Sequence, residues 1–126
     1  MIPYRKQTRP SSKYKSVITE NDGIKFHSKL EAAFYERLKR ERELGRIKYF
    51  LRQTPIHLPA NIKYVVDFLV IDNQNNPHYL DIKGFLTSTG KMKIKMAEDI
   101  YKIEIKLIKS ITQQYLPLTD IPLNNR

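Results

Sequence analysis

The residue types best suited to chemistry in this sequence lie in one stretch, residues 64–84. Two hydrophobic runs flank the polar segment 73–77, whose Asn, Gln and Pro residues are typical of a turn, so the stretch predicts a β-hairpin. Antiparallel pairing about the middle of that turn places Asp67 opposite Asp81, and Lys83 falls on the same face as Asp81. Two carboxylates and one ammonium group therefore share one patch of the predicted sheet.

This patch needs a physical reason, because like charges directly opposite each other, with Cβ atoms about 4.5–5.5 Å apart, destabilise a sheet. A divalent cation supplies one, since Mg²⁺ is typically held by one or two carboxylates together with water and substrate phosphate. Lys83 would then suit a phosphate oxygen, a developing negative charge or the attacking water. The alternative is an exposed sheet face on which Lys83 neutralises Asp81, and these residues alone leave both interpretations open.

Composition narrows the class of partner. The chain has 126 residues and a formal net charge of +10, which indicates one domain and a polyanionic partner. Because it contains neither an apolar run long enough for a membrane span nor a signal-peptide pattern, we expect nucleic acid rather than a membrane as that partner. The absence of cysteine excludes disulfides and thiolate zinc sites, and a cytoplasmic location is the simplest expectation.

A β-hairpin and a helix precede the central stretch. Asp22 and Gly23 predict the turn of a short hairpin whose strands centre on residues 17–18 and 24–26. Ser28 is expected to begin a long helix that Gly45 ends. The buried stripe of this helix is predicted to be Leu30, Ala33, Phe34, Leu38 and Leu44. Glu31 has capping-box spacing to Ser28, so its first interpretation is a helix cap.

Strands and a second helix account for the rest of the fold. Residues 46–53 predict a strand that continues at 56–58, and 84–90 predict a loop before a helix at 91–102 and a last strand at 103–107. The apolar sides are expected to be Ile47, Tyr49 and Leu51 in the first strand, Met92, Met96 and Ile100 in the helix, and Ile103, Ile105 and Leu107 in the last strand. This order, αβββαβ, predicts an α/β fold with a mixed sheet flanked by helices and an N-terminal β-hairpin.

The two ends of the chain differ from this central domain, residues 16–110. Residues 1–15 predict a flexible basic arm that could follow a phosphate backbone, although an ordinary disordered terminus has the same appearance. Its cations are Arg5, Lys6, Arg9, Lys13 and Lys15. Residues 111–126 contain two prolines and show weak periodicity, so we expect a loosely packed tail.

Taken together, several short motifs resemble a known superfamily. Glu31 on the first helix, Asp67 in YVVDF and the Asp81-Ile82-Lys83 triplet of LDIKG are similar to the E, D and (D/E)xK elements of the PD-(D/E)XK nucleases. FHSKLEAAFY, Gln53 and a lysine-rich second helix resemble, more narrowly, a family of small phage-encoded endonuclease-like proteins related to Holliday junction resolvases. The resemblance covers about residues 13–108, with a valine in place of the superfamily's proline.

The resemblance implies a restriction-endonuclease-like core and a role for each matching residue. Asp67 and Asp81 would be metal ligands, with the Ile82 backbone carbonyl beside them and Mg²⁺ or Mn²⁺ as the ion. Lys83 would act on the water or phosphate. Glu31 would complete or support the metal site, and Gln53 would be an auxiliary polar residue.

The implied function is metal-dependent hydrolysis of DNA, on branched or junction DNA in phage recombination or replication, in the host cytoplasm if the protein is phage-encoded. The basic arm with Lys91, Lys93 and Lys95 would bind the DNA backbone, and two symmetric cuts would favour a homodimer. The alternatives are a monomeric nicking or flap nuclease and a non-catalytic DNA-binding module on the same fold. An RNA-binding role has little support, because no aromatic stacking motif is visible.

Overall fold

The protein is described by a computed structural model that covers residues 19–83 and 86–117. Its helices and strands are, in chain order, β1 (Thr19–Asn21), β2 (Ile24–Phe26), α1 (Lys29–Glu43), β3 (Tyr49–Leu58), β4 (Ile62–Ile71), β5 (Pro77–Ile82), α2 (Ser88–Tyr101) and β6 (Ile105–Ile108), with a short 3-10 turn at Pro59–Asn61. No helix within these ranges is long and apolar enough to cross a membrane.

The sheet is mixed and has the order β3-β4-β5-β6. Strands β3, β4 and β5 pair antiparallel through short connections, whereas β6 pairs parallel to β5. A parallel pair needs a crossover, and α2 supplies it. Strands β1 and β2 form a separate antiparallel hairpin. The α/β class, the element order and the N-terminal hairpin predicted from the sequence are therefore confirmed.

The N-terminal hairpin turns at Asp22 and Gly23, which have φ angles of 54° and 76°. Positive φ at both central residues is the requirement of the tight turns that favour Asp-Gly, as predicted. The Asp22 carboxylate also accepts hydrogen bonds from the Tyr35 hydroxyl at 2.9 Å and from Lys39 Nζ at 2.5 Å. These bonds attach the hairpin to α1. The predicted strand residues 17–18 lie outside the described residues.

Helix α1 begins and ends where predicted, but its buried stripe differs. Gly45 follows it with a φ of 77°, a conformation that favours glycine. The side chains it buries are Ala32, Phe34, Tyr35 and Leu38. Ala33 and Leu44 are exposed, contrary to the prediction. The reason is Tyr35, whose ring lies between Phe26 and Phe50 and rotates the buried face toward the hairpin.

The core consists of two hydrophobic clusters. The first joins α1 to Phe68 and Val70 of β4 and to residues of β5 and β6, and the second joins α2 to Val66 of β4 and to parts of β3 and β6. The separation coincides with Gln53, whose φ of 51° interrupts the β3–β4 ladder between the pairs Arg52↔Phe68 and Thr54↔Val66. Strand β4 thus contributes residues to both clusters.

Helix α2 begins at Ser88, three residues earlier than predicted, with Thr87 as its cap. Ile94 and Ala97 are buried, whereas Met92 and Ile100 are largely exposed, so the predicted Met92, Met96 and Ile100 face is wrong in part. Ala97 has no exposed surface, and its small side chain allows the helix to pack closely on the sheet.

The face of β3 was also predicted wrongly. Tyr49 and Leu51 are 44% and 49% exposed, while Phe50 and Arg52 are half-buried and lie on the α1 side. Ile47 is buried, but it precedes the strand. Phe50 contacts Tyr35 of α1 and Arg52 contacts Phe26 of the hairpin, so the alternate side chains, Tyr49 and Leu51, point to the opposite, exposed face.

The chain after β6 packs more tightly than expected. Tyr115 is 1% exposed, its ring lies 5.6 Å from that of Phe34, and the Arg37 guanidinium lies 5.0 Å from its centre. Leu116 is buried beside it. The expectation of loose packing is therefore wrong for Tyr115 and Leu116, while residues 111, 112, 114 and 117 are exposed. Residues 118–126 and the basic arm, residues 1–15, lie outside the described residues.

Candidate active site

The predicted carboxylate pair forms where the pairing of β4 with β5 ends, in the middle of β4 and near the end of β5. Pairing runs from Ile71↔Pro77 to Phe68↔Leu80, and the next position in this register brings Asp67 opposite Asp81. The Asp81 carboxylate accepts a hydrogen bond from the Asp67 backbone N–H at 3.3 Å. The Asp67 carboxylate accepts one from the Ile82 N–H at 2.8 Å. Each acid is thus held by the backbone of the neighbouring strand.

Gln53 connects this pair to α1. Its side-chain Nε2 lies 3.3 Å from Asp67 Oδ1 and 3.4 Å from Glu31 Oε2. The positive φ of Gln53 is uncommon for a residue other than glycine, and such backbone strain clusters at functional sites. One amide therefore joins an acid of the helix to an acid of the sheet.

Glu31 lies in the first turn of α1 and has two roles. Its backbone N–H donates to Ser28 Oγ at 3.2 Å, which is one half of a capping box. Its carboxylate is directed to Gln53 and the acidic pair. The cap and the site role predicted for this residue use different atoms, so both fit the structure.

Lys83 and Tyr64 share one oxygen of Asp81. Lys83 Nζ lies 3.5 Å from Asp81 Oδ2, and the Tyr64 hydroxyl donates to the same oxygen. Asp81 itself is fully buried, while the Lys83 side chain keeps 32% of its surface exposed. The ion pair of the alternative interpretation is therefore present, and it forms beside two further carboxylates.

The surroundings of Glu31, Asp67 and Asp81 disfavour the ionised form of all three carboxyl groups. Burial, followed by the charge of Asp67, raises the pKa of Glu31 to about 7. Burial also raises the pKa of Asp67 and of Asp81, against the opposing effects of the backbone N–H groups and Lys83. Three acids with raised pKa values in one place form an environment that an added cation would stabilise.

The donor atoms of this cluster suit a hard cation. Asp67 and Asp81 offer carboxylate oxygens on adjacent strands, which is the type and number of protein ligands that Mg²⁺ usually takes. Within residues 19–83 and 86–117, no three His, Cys, Asp or Glu side chains enclose a metal position by themselves. The fit is therefore to an ion that keeps water and substrate oxygens. The role predicted for the Ile82 carbonyl stays a prediction.

Tyr64 and Arg52 lie at the site but were not predicted from the sequence. Tyr64 is buried with its hydroxyl on Asp81. Arg52 directly precedes Gln53, and its guanidinium lies 4.8 Å from the centre of the Phe26 ring. A signal for Arg52 was available, because a cation interrupts the alternating positions Phe50, Thr54 and Ile56.

The residues predicted to bind DNA lie in two places. Lys91 and Lys95 are exposed on α2, and Lys93, between them in the sequence, is half-buried. The cations of the basic arm lie outside the described residues.

Fold and site together define an α/β protein with an acidic cluster and a lysine at the open end of an antiparallel strand pair. The chain belongs to a family described as "Protein of unknown function (DUF1064)", which matches residues 11–115. Searches of curated proteins and of solved structures gave no match.

Proposed function

We propose that this protein is a metal-dependent endodeoxyribonuclease. The observation that carries the proposal is one hydrogen-bonded cluster built from α1, β3, β4 and β5, in which Glu31, Gln53, Asp67 and Asp81 are joined and Lys83 lies at its side. The same five positions carry the resemblance to PD-(D/E)XK nucleases. The net charge of +10 supports a polyanionic substrate.

Each residue has a chemical role in this proposal. Asp67 and Asp81 would hold Mg²⁺ or Mn²⁺, which polarises the scissile phosphate and lowers the pKa of a bound water. The partly exposed Lys83 ammonium would stabilise negative charge on the phosphate. Gln53 would fix the relative positions of Glu31 and Asp67, because its amide contacts both carboxylates.

The substrate would be DNA, bound mainly through its phosphates. Lys91 and Lys95 offer exposed cations on α2, and the basic arm would add more. Branched or four-way junction DNA is the substrate that the resemblance favours, with a homodimer to make two symmetric cuts. A monomeric enzyme that nicks or cuts flaps would use the same cluster.

A cleavage assay with labelled duplex, flap and four-way junction DNA tests the proposal. We expect cleavage with Mg²⁺ or Mn²⁺ and none with a chelator. Asp67→Asn should be inactive, whereas Asp72→Asn, the same change in the turn between β4 and β5, should cleave normally. Cleavage by Asp67→Asn would contradict the proposal. DNA binding without cleavage by the parent protein would instead favour the non-catalytic DNA-binding module.

A further inference from the structure

Arg52 is a cation with unused hydrogen-bonding capacity beside the acidic cluster. Its Nε is enclosed by the protein and has no hydrogen-bond partner. A guanidinium carries five N–H donors, and a buried donor without a partner costs free energy. Within the described residues, the contact that positions this guanidinium is the Phe26 ring, 4.8 Å away. A structural arginine would normally use these donors on the protein.

The position of Arg52 places it next to the reacting groups. Its backbone pairs with Phe68, one residue from Asp67, and it adjoins Gln53, whose amide contacts both Glu31 and Asp67. Its positive charge acts on both of these carboxylates and lowers their pKa values. It makes no ion pair with either of them within the described residues, so the guanidinium lies near the acids while its charge and its donors stay available for another ligand.

Phe26 holds the guanidinium in place. Stacking on an aromatic ring limits an arginine side chain to one orientation. Because Nε is the enclosed nitrogen, the donors that a ligand can reach are those of the two Nη groups at the end of the guanidinium plane. Phe26 is itself 1% exposed and belongs to the first hydrophobic cluster, the one that contains α1, so the ring that supports the guanidinium is held firmly. A preoriented fork of donors is the geometry that recognises a phosphate through two parallel hydrogen bonds.

We propose that Arg52 binds a phosphate of the DNA backbone adjacent to the phosphate that lies at Asp67 and Asp81. This inference rests on the proposed function for its choice of ligand, and it assigns to Arg52 the positioning of the substrate. Lys83 then contacts the reacting phosphate, and Arg52 fixes a neighbouring one. Two contacts at successive phosphates set the register of the strand across the acidic cluster.

DNA binding measured with a chelator present tests Arg52 without requiring cleavage. Arg52→Gln removes the charge and the fork, and Arg52→Lys keeps the charge alone. Arg42→Gln is the matched control, because Arg42 also stacks on a phenylalanine, with its guanidinium 5.2 Å from the centre of the Phe50 ring, but lies in the last turn of α1. Fluorescence anisotropy at several salt concentrations gives the affinity and its salt slope for each protein, and melting temperatures confirm folding.

We expect Arg52→Gln to weaken binding by about tenfold or more, the effect of losing charge-assisted hydrogen bonds, and to reduce the log-log salt slope by about 0.9. Arg52→Lys should keep the slope and lose much of the affinity, because an ammonium lacks the fork. Arg42→Gln should change the affinity by less than about threefold. In the parent, the Arg52 Nε–H signal in an NMR spectrum, assigned by its absence in Arg52→Lys, should shift on addition of DNA, because hydrogen bonds from the Nη groups to a phosphate change the electron distribution of the whole guanidinium.

Equal losses in Arg52→Gln and Arg42→Gln would overturn the inference, since Arg52 would then be one surface charge among many. An unmoved Nε–H signal, or lower thermal stability with unchanged affinity, would make Arg52 structural. Failure of the nuclease proposal has a different signature, which is DNA binding that depends on Arg52 in a protein that never cleaves. The two ideas are therefore tested separately.

Discussion

Two aspartates on the β4–β5 hairpin are fully buried, and they lie at opposite ends of it. Asp72, at the turn, accepts hydrogen bonds from the backbone N–H groups of Gln74 at 2.8 Å and Asn76 at 2.9 Å, and His78 Nε2 lies 2.7 Å from its other oxygen. Asp81, at the open end, shares its surroundings with Asp67. The two carboxylates are equally buried, but the groups around them differ.

The difference separates structural acids from candidate functional ones. The bonds of Asp72 close a turn, which is a common use of aspartate. Around Asp81, a second carboxylate, a strained Gln53 and a third acid on α1 add unfavourable charge, and no turn or cap requires the Asp67–Asp81 pair. Each of the two aspartates also accepts a backbone N–H bond, but such a bond needs one carboxylate and not three, so the gathering of like charges is the more informative sign of a site.

The largest expected effect comes from neutralising the acids at the open end. Asp67→Asn and Asp81→Asn should each lower Mg²⁺-dependent cleavage by more than about 10³-fold while DNA binding is retained. Because burial raises the pKa of both acids, the metal-free variants should be as stable as the parent or more stable by roughly 0–1 kcal/mol. Cleavage assays and melting curves measure both. Mg²⁺ should raise the melting temperature of the parent far more than that of either variant.

A smaller loss of activity is expected for Glu31→Gln. Glutamine is also a capping-box residue, so thermal stability should be nearly normal, while cleavage should fall by about 10–100-fold, the usual effect of losing a group that supports a metal ligand. Steady-state cleavage rates beside melting temperatures check this. Normal cleavage by Glu31→Gln would show that Glu31 acts only as a helix cap and, like Asp72, has a structural role.

At the turn end, Asp72→Ala should affect stability instead of activity. It removes the acceptor of two backbone N–H groups and the partner of His78, which should cost about 1–3 kcal/mol in the free energy of unfolding. Urea denaturation measures this loss. Cleavage by the folded fraction should equal that of the parent, and a selective loss of cleavage would contradict the separation of the two ends.

The smallest effect is a pH dependence of stability in the metal-free protein. The pKa of Glu31 is raised from 4.5 to about 7, so the folded state binds more protons than the unfolded state across this interval. Stability should therefore fall as pH rises from 4.5 to about 7 and change little from this group above it. Denaturation curves across that interval should have a shallower slope in Glu31→Gln. Asp67 and Asp81 act in the same direction, so some slope should remain.

Local sequence signals were sufficient for most of the fold. The Asp22-Gly23 turn, the Ser28 cap and the Gly45 stop are properties of single residues and their neighbours, and all three were predicted correctly. The faces of α1, α2 and β3 were predicted less well. Which side of an element is buried depends on its packing partners, as Tyr35 shows by joining the hairpin to Phe50.

The sequence by itself determined that Asp67 and Asp81 are opposite each other, because the length of the turn sets the register of a hairpin and side chains alternate along a strand. Only the tertiary structure decided what joins them. Gln53 is 14 residues from Asp67 and 22 from Glu31, and its contact with both depends on how α1 packs on the sheet and on a left-handed backbone conformation. The position of the Arg52 guanidinium also depends on tertiary packing, because its contact residue Phe26 lies in the hairpin that precedes α1, whereas Arg52 follows α1. Contacts between distant segments follow from packing, and no local pattern specifies them.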